Sequence, residues 1–488
     1  MRTPLSHRRR KAAPLVAAAT VLGVALTAVP AGAAGAGDPY FPDDGNAGYD
    51  VANYDVRIAY DPARPDLLKG DTTVTARALR SLDRLSLDLK GFQVASVTVN
   101  GTPAKSFSRS GAHKLDIEPA RRVAGGATFA VRVVYAGKPD PEGWHPLVSG
   151  GVNAMGEPHS ATSWFPSNDH PSDKATFSLA ATVPDGWTAI GNGRPGPTTS
   201  AGGSTTFRWR EDKPMATYLS TVAIDRFTVH RSELPDGTPV ITAYGPGVPI
   251  DEMAKATEAQ QPEILAFLAS KFGPYPFSSA GAIVRSSPKE SGTGAADLET
   301  QSRPTYTDYF WDAAAVHEIT HQWFGDSVSF TDWRDGCIAE CVAQYANQLW
   351  EEHKGSNLDT TFYAANIEEN RNNPAYWSTK LYDPGQGNEL APALYFKGSL
   401  MMHALRRTIG DDAFFGTLKR WTADHAYGNA SFPQFEALAA KVSGKDLKGF
   451  FDAWAHSTTI PPKEYLYPGT LAPLSGGRTS GSEVGQRS

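Results

Sequence analysis

V-H-E-I-T-H-Q-W-F-G occupies residues 316–325, and Glu340 follows His321 after eighteen intervening residues. Side chains four positions apart in an α-helix lie on one face, so His317 and His321 can direct their imidazole nitrogens to one point. The H-E-x-x-H pattern supplies two zinc ligands, and Glu318 is a carboxylate that can take a proton from water. With Glu340 as third ligand, the site would be His₂Glu with a fourth position open, as in catalytic zinc sites.

The residues around the motif predict two helices. Asp312 is an N-cap candidate before the helix formers at 313–315, and Gly325 is placed to end the first helix. Asp335 is the N-cap candidate of a second helix, which carries Glu340 near its start. Apolar residues then recur at helical spacing: Ile338, Val342, Tyr345, Ala346 and Leu349. The two helices are close enough in sequence to fold against each other.

The first 36 residues have the pattern of a secretory signal peptide. Five basic residues, the last of them Lys11, precede an apolar run from Ala12 to Val29, and small residues at 30–34 offer a cleavage site. The alternative, an N-terminal membrane anchor, fits less well because the run is short and rich in alanine. We therefore expect a secreted, extracellular protein without a membrane contact after cleavage, since no later segment has the length and apolarity of a membrane span.

The charge of the remaining chain excludes one class of partner. Without residues 1–36 the chain has 41 Lys and Arg against 52 Asp and Glu, a net charge of about −11. An acidic chain without a basic cluster is a poor candidate for binding nucleic acid, so we expect no nucleic-acid partner.

The chain has two cysteines, Cys337 and Cys341, on either side of Glu340. Their Cβ atoms would lie about 5–6 Å apart in a regular helix, whereas a disulfide needs about 3.5–4.5 Å. Two buried thiols are therefore favoured slightly over a bridge. A role as soft zinc ligands is considered but disfavoured, because His₂Glu already completes the site.

The periodicity predicts an α+β multidomain chain. Strand-like alternation runs from Tyr49 to about Phe227, and Asn100-Gly101 is a hairpin signal. A helix is predicted over 251–272, a strand near 281–285, and further helices near 312–324, 335–352, 394–408, 432–442 and 446–456. The predicted divisions are a signal peptide at 1–36, an all-β domain at 37–235, a mainly helical catalytic domain at 236–465 and a disordered tail at 466–488.

The chain resembles the M1 family of zinc aminopeptidases, gluzincins such as aminopeptidase N and leukotriene A4 hydrolase. H-E-x-x-H followed after eighteen residues by Glu is that family's metal signature. The sequences H-Q-W-F-G-D-S-V-S at residues 321–329 and D-W-R-D at residues 332–335 are also similar to the family's sequences. The resemblance implies a saddle-like N-terminal β domain, a thermolysin-like catalytic domain and one Zn²⁺ per chain. It implies a short form that lacks the large C-terminal helical domain of longer members.

Three further site residues follow from the resemblance. Glu299 holds the Glu position of a loose match to the family's G-x-M-E-N motif at 294–300, where it would bind the substrate's free α-ammonium. Glu157, nine residues before Pro166, would assist Glu299. Tyr395, 78 residues beyond His317, resembles the family's catalytic tyrosine. The alternatives are an ordinary core position for Tyr395 and a surface carboxylate for Glu157.

The resemblance therefore implies a monomeric aminopeptidase that acts on peptides with a free N-terminus. Glu318 would be the general base, and Tyr395 would stabilise the oxyanion of the transition state. Cys341 departs from the family pattern, which has Gly at that position, and would add volume beside the metal. Three alternatives stay open: an endopeptidase with the same metal site, an epoxide hydrolase as in one branch of the family, and a secreted binding protein on an inactive scaffold.

Overall fold

A computed structural model describes residues 37–289 and 297–474 of the chain. The predicted signal peptide and the predicted tail from residue 475 onward lie outside this range. Within it, the order of elements is a long series of strands followed by helices, which confirms the predicted α+β class. None of the described helices combines the length and the apolar character that crossing a bilayer requires.

The described residues include twenty strands and ten α-helices. The strands are β1 (Tyr49–Tyr60), β2 (Leu68–Ala78), β3 (Leu85–Asp88), β4 (Gln93–Val99), β5 (Thr102–Pro103), β6 (Ser106–Ser110), β7 (Lys114–Glu118), β8 (Thr128–Gly137), β9 (Trp144–Pro146), β10 (Val152–Ala154), β11 (Ala175–Pro184), β12 (Thr188–Gly191), β13 (Arg194–Pro195), β14 (Thr199–Ala201), β15 (Ser204–Met215), β16 (Val222–Asp225), β17 (Thr228–Glu233), β18 (Pro239–Tyr244), β19 (Ala280–Arg285) and β20 (Thr305–Thr307). The helices are α1 (Glu252–Phe272), α2 (Asp312–His321), α3 (Cys337–His353), α4 (Ala365–Asn370), α5 (Pro374–Trp377), α6 (Pro392–Ile409), α7 (Asp411–Asp424), α8 (Phe432–Ser443), α9 (Lys448–Trp454) and α10 (Lys463–Leu466).

The N-terminal region is built on a nine-stranded sheet in the order β13-β15-β11-β1-β2-β8-β4-β5, with β14 paired to β15. Its strands alternate between buried and exposed residues, as along β1 and β8, because one sheet face packs on the core and the other meets solvent. The predicted hairpin is confirmed: Asn100 and Gly101 both have positive φ between β4 and β5. Two smaller sheets, β12-β16-β10-β9 and β3-β7-β6, complete this region.

A four-stranded sheet, β17-β18-β19-β20, joins the two halves of the chain. β17 pairs antiparallel with β18, whereas β18, β19 and β20 are parallel. β17 falls within the predicted N-terminal domain and its partners fall within the catalytic domain, so the sheet is continuous across the predicted boundary at residue 235.

The predicted helices are confirmed, but two of the predicted N-cap residues are wrong. Trp311, not Asp312, is the N-cap of α2, because Asp312 has already entered the helix. Asp335 lies in a 3₁₀ turn, and Gly336 precedes α3 instead. The Asp335 carboxylate accepts hydrogen bonds from the backbone N of Phe432, at 2.9 Å, and from Thr331. The sequence analysis overlooked α7, although its buried residues have helical spacing: Phe414, Thr417, Leu418 and Trp421.

The structure contradicts the prediction of two free thiols, because Cys337 and Cys341 form a disulfide. Both residues are buried as expected. Cys337 is the first residue of α3, and its Cα lies only 4.9 Å from that of Cys341. A first turn is not yet held by a full set of helical hydrogen bonds, so it can tighten enough to allow the bridge.

Both ends of the described chain pack against the helical region. Asp38 accepts a hydrogen bond from the backbone N of Trp333 at 3.0 Å, and the Tyr40 hydroxyl donates to Asp383 at 2.6 Å. At the other end, Leu466 and Leu471 are buried. The first residues of the predicted tail, 466–471, therefore pack on the helical region, whereas residues 472–474 are exposed.

Candidate metal centre and active site

Three ligand atoms from two helices converge between the two halves of the molecule. Nε2 of His317 and Nε2 of His321, on α2, lie 3.2 Å apart. Oε2 of Glu340, on α3, lies 3.4 Å from the first nitrogen and 3.5 Å from the second. Ligand atoms around a tetrahedral zinc ion with bonds of about 2.0–2.1 Å lie about 3.3 Å from one another. The three atoms therefore have the spacing of one face of a zinc tetrahedron.

The surroundings of these atoms also fit a cation. Oε2 of Glu340 is buried without a hydrogen-bond partner among the described residues, which is unfavourable for a carboxylate oxygen unless a cation satisfies it. Nδ1 of His321 lies 3.0 Å from the carbonyl oxygen of Phe324 and donates to it, which leaves the lone pair of Nε2 for a metal. Gln344 hydrogen-bonds to His317 in the same supporting role.

Charge is balanced locally between the imidazoles and Glu340. Burial alone would raise the pKa of the Glu340 carboxyl, but the nearby imidazoles of His321 and His317 hold that pKa below its ordinary value. Burial lowers the pKa of His317. Burial also acts to lower the pKa of His321, but the charges of Glu340 and Glu299 outweigh it and raise that pKa well above its ordinary value. A metal requires the neutral form of both imidazoles, so its binding would release the proton of His321.

Glu318 lies beside the three ligand atoms and is buried. One carboxylate oxygen of Glu318, one of Glu299 and a ring nitrogen of His321 lie within 4.8 Å of one another. Burial raises the pKa of Glu318 well above its usual value, and the nearby carboxylates of Glu299 and Asp297 add to this effect. A carboxylate with a raised pKa is suited to accept and return a proton.

Glu299 and Glu157 lie next to the same centre. Their carboxylate oxygens and one of Glu340 lie within 4.8 Å of one another. Glu299 accepts a hydrogen bond from the Tyr218 hydroxyl at 3.3 Å, and its backbone oxygen accepts one from the Gln322 side chain at 3.1 Å. Burial and then the charge of Glu299 raise the pKa of Glu157 well above its ordinary value. Such a crowd of carboxylates favours a cationic ligand.

Tyr395, on α6, faces the centre from the third helix. Its ring stacks on that of His317, with 5.9 Å between centroids and 21° between planes. Burial, followed by the charges of Glu340 and Glu157, raises the pKa of the Tyr395 hydroxyl. The phenol therefore stays protonated and can donate a hydrogen bond.

Gly398, one turn beyond Tyr395, explains how Cys341 is accommodated. A Cβ at Gly398 would come within 2.2 Å of Sγ of Cys341. The extra volume of Cys341 is therefore taken up against α6, and the disulfide lies on the side of α3 that faces this helix.

The structure brings together every predicted site residue and adds two. Tyr218 and Gln322 hold Glu299, and sequence reasoning missed both. Gln322 directly follows His321 in the motif, which was a usable signal, whereas Tyr218 stands in no recognisable pattern. Three other histidines contact partners outside the centre: His159 and His403 bind Asp44 and Asp359, and His170 binds Ser172.

Comparison with protein families finds two matches that together cover more than half of the chain. The family described as Peptidase M1 N-terminal domain matches residues 51–219. The family described as Peptidase family M1 domain matches residues 311–454.

Curated relatives and solved structures agree with these matches. Aminopeptidase N of Lactococcus lactis is 29% identical over 163 residues, which are 30% of this chain and 18% of that protein. Aminopeptidase N of Streptomyces lividans is 24% identical over 337 residues, 61% of this chain and 37% of that protein. The chain thus spans well under half the length of these relatives.

The M1 zinc metallopeptidase of Deinococcus radiodurans gives a closer match in length. It is 28% identical with a TM-score of 0.79, and the match covers 91% of this chain and 100% of that one. A mutant of that enzyme bound to a Tyr-Ser-Ala substrate has a TM-score of 0.80 at 28% identity, covering 88% and 99% of the two chains.

Proposed function

The chain belongs to peptidase family M1, and on that premise we propose that it is a zinc-dependent aminopeptidase that removes N-terminal residues from peptides. The observation that carries the proposal is the pairing of two sites within one centre. His317, His321 and Glu340 have the spacing of zinc ligands, and the carboxylates of Glu299 and Glu157 lie next to them.

His317, His321 and Glu340 would hold one zinc ion. When bound, zinc polarises the scissile carbonyl and makes water more acidic. Glu318 takes the proton of the attacking water and passes it to the leaving amine. The Tyr395 hydroxyl donates a hydrogen bond to the oxyanion that develops at the carbonyl oxygen.

Glu299 and Glu157 restrict the reaction to the chain end. As anions they bind the α-ammonium of the first residue, so one residue is removed at a time. An endopeptidase would have no use for two carboxylates at this point. The Deinococcus enzyme, whose mutant was obtained with a tripeptide substrate, supports peptides as the substrate class.

The test is a panel of aminoacyl-anilides assayed with and without a chelator, together with zinc analysis of the purified protein. We expect chelation to abolish activity and zinc to restore it. An N-acetylated peptide should be cut far more slowly than its free-amine twin. Equal rates for the two peptides would favour an endopeptidase, and a protein without zinc or hydrolysis would favour a binding protein.

A single substitution tests the proposed binding of the substrate's α-ammonium group. Glu299→Ala should raise KM for aminoacyl-anilides much more than it affects folding, while the control Glu252→Gln, at an exposed position, should change neither. Unchanged kinetics in Glu299→Ala would contradict the assignment.

Secretion and a monomeric state complete the proposal. The predicted leader supports secretion. Recovery of the activity from culture medium and sedimentation of the purified protein test the two statements.

A further inference from the structure

Glu157, one of the two carboxylates proposed to bind the substrate's amino group, lies on a turn of the N-terminal region. The backbone N of Ser160 donates to the carbonyl oxygen of Gly156 at 2.6 Å, and Glu157 lies within the loop that this bond closes. The turn begins against Tyr218, since a Cβ added at Gly156 would lie 3.1 Å from the Cα of Tyr218. The position of the Glu157 carboxylate therefore depends on what holds this turn.

His159, two residues after Glu157 on the same turn, contacts a distant part of the chain. Its Nδ1 lies 2.6 Å from Oδ2 of the buried Asp44, and its Nε2 lies 3.8 Å from Oε1 of Glu142. Burial acts to lower the pKa of His159, but the carboxylate of Asp44 outweighs it and raises that pKa, which favours an ion pair. The imidazole also stacks on Phe41, with 4.0 Å between centroids and 24° between planes.

This distant part of the chain also reaches the support of Glu299. The rings of Phe41 and Trp333 are perpendicular, with 6.2 Å between centroids. The ring of Trp333 in turn lies 5.4 Å from that of Tyr218, whose hydroxyl donates to Glu299. Residues 38–44, which we call the N-terminal segment, therefore contact the supports of both carboxylates.

We propose that Asp44 and His159 are positioning residues, whose contact fixes the turn that presents Glu157 to the α-ammonium group of the substrate. This inference rests on the proposed aminopeptidase function and adds two residues to its amine-binding site. The two side chains act through Glu157 and not on the reacting carbonyl group. Loss of their contact should therefore weaken substrate binding and leave the chemical step largely unchanged.

Two substitutions remove the contact from its two sides with little change in volume. His159→Phe keeps a ring that can stack on Phe41, and Asp44→Asn keeps the shape of the carboxylate. We expect each to raise KM for the preferred aminoacyl-anilide about tenfold, because a binding group is misplaced, and to leave kcat within about twofold. Zinc content and the unfolding midpoint are measured on the same proteins, and either variant that folds decides the result.

His113→Phe is the matched control. Nε2 of His113 lies 2.9 Å from Oδ1 of Asp44, so this histidine contacts the same carboxylate. It lies between β6 and β7, not on the turn that carries Glu157. We expect KM to stay close to that of wild type. An equal rise of KM in His113→Phe and His159→Phe would point to general loosening of the N-terminal segment and overturn the proposal.

A double-mutant cycle shows whether His159 acts through Glu157. Glu157→Ala should itself raise KM, and adding His159→Phe should cause no further rise, because no carboxylate is left to position. Additive effects would overturn the proposal, and so would an unchanged KM in a folded His159→Phe or Asp44→Asn protein.

Failure of the proposed function has different signs. A wild-type protein that hydrolyses no anilide would contradict the function as a whole. Hydrolysis with an unchanged KM in Glu157→Ala would remove Glu157 from the amine-binding site, and the positioning role of Asp44 and His159 would be overturned with it.

Discussion

The ring of Tyr395 stacks on the imidazole of His317, at 5.9 Å between centroids, although the two residues lie on different helices. The contact places a protonated phenol beside a proposed metal ligand, close to the place where the proposed reaction would form an oxyanion. It links the candidate zinc site on α2 and α3 to a hydrogen-bond donor on α6.

Tyr395→Phe keeps the ring and removes the donor. We expect kcat to fall by about 10²–10³, the usual effect of losing one oxyanion donor, with KM and zinc content nearly unchanged. Tyr382→Phe is the matched control, because Tyr382 packs on Phe432 and contacts none of the site residues. A Tyr395→Phe protein with full kcat would leave the tyrosine as a packing residue only.

Metal analysis distinguishes the roles proposed for Glu318 and Glu340. Glu318→Gln should retain zinc and lose about 10²–10⁴ in kcat, the usual contribution of general acid–base catalysis. Glu340→Ala removes a proposed ligand and should lose the metal together with the activity. Normal turnover in Glu318→Gln would end the general-base assignment, and full zinc content in Glu340→Ala would end the ligand assignment.

The disulfide closes a short loop at the start of the helix that carries Glu340. Replacing Cys337 and Cys341 by serine should lower the free energy of unfolding by about 2 kcal/mol, the loop-closure contribution for five residues. The check is denaturant unfolding of the zinc-loaded protein alongside a titration of thiols. Two free thiols in unreduced, denatured wild-type protein would contradict the bridge.

Glu211, on β15, gives a pH-dependent stability. Burial raises its pKa from 4.5 to about 7 in the folded protein. Between these values the native state binds more protons than the unfolded state, so stability is lost as pH rises through that window. The loss amounts to about 3 kcal/mol above pH 7. Glu211→Gln should therefore be more stable than wild type at pH 8 and equal to it at pH 4.5.

The control for this experiment is Glu252→Gln, at an exposed position. Unfolding midpoints of all three proteins at the two pH values decide the outcome. A Glu211→Gln protein that is no more stable than wild type at pH 8 would show that the buried carboxyl carries no such penalty.

The spacing of residues along the sequence was enough to predict the part of the centre that lies on a single helix. His317 and His321 lie on one face of α2, and Glu340 follows in the next helix of that part of the chain, so both elements could be predicted from periodicity. That Glu340 meets the imidazoles was suggested by the short separation of the two predicted helices and supported by the family resemblance.

Contacts between distant segments could not be predicted in this way. Tyr218 donates to Glu299 across 81 residues of sequence, and no periodic pattern connects a strand-rich region to a loop before β20. The prediction of two free thiols was wrong for a different reason. The prediction assumed the Cβ spacing of a regular helix, whereas the bridge lies in the first turn, where the backbone departs from it.

The pairing of β17 with β18 sets a condition for anyone who wishes to express the peptidase half by itself. A fragment that starts at residue 236 would lose the neighbour of β18 and present a row of unsatisfied backbone groups along that strand. Copies of such a fragment would be prone to associate through the unpaired edge of β18. Keeping the hairpin in one piece, with a start ahead of Thr228, would leave that edge covered.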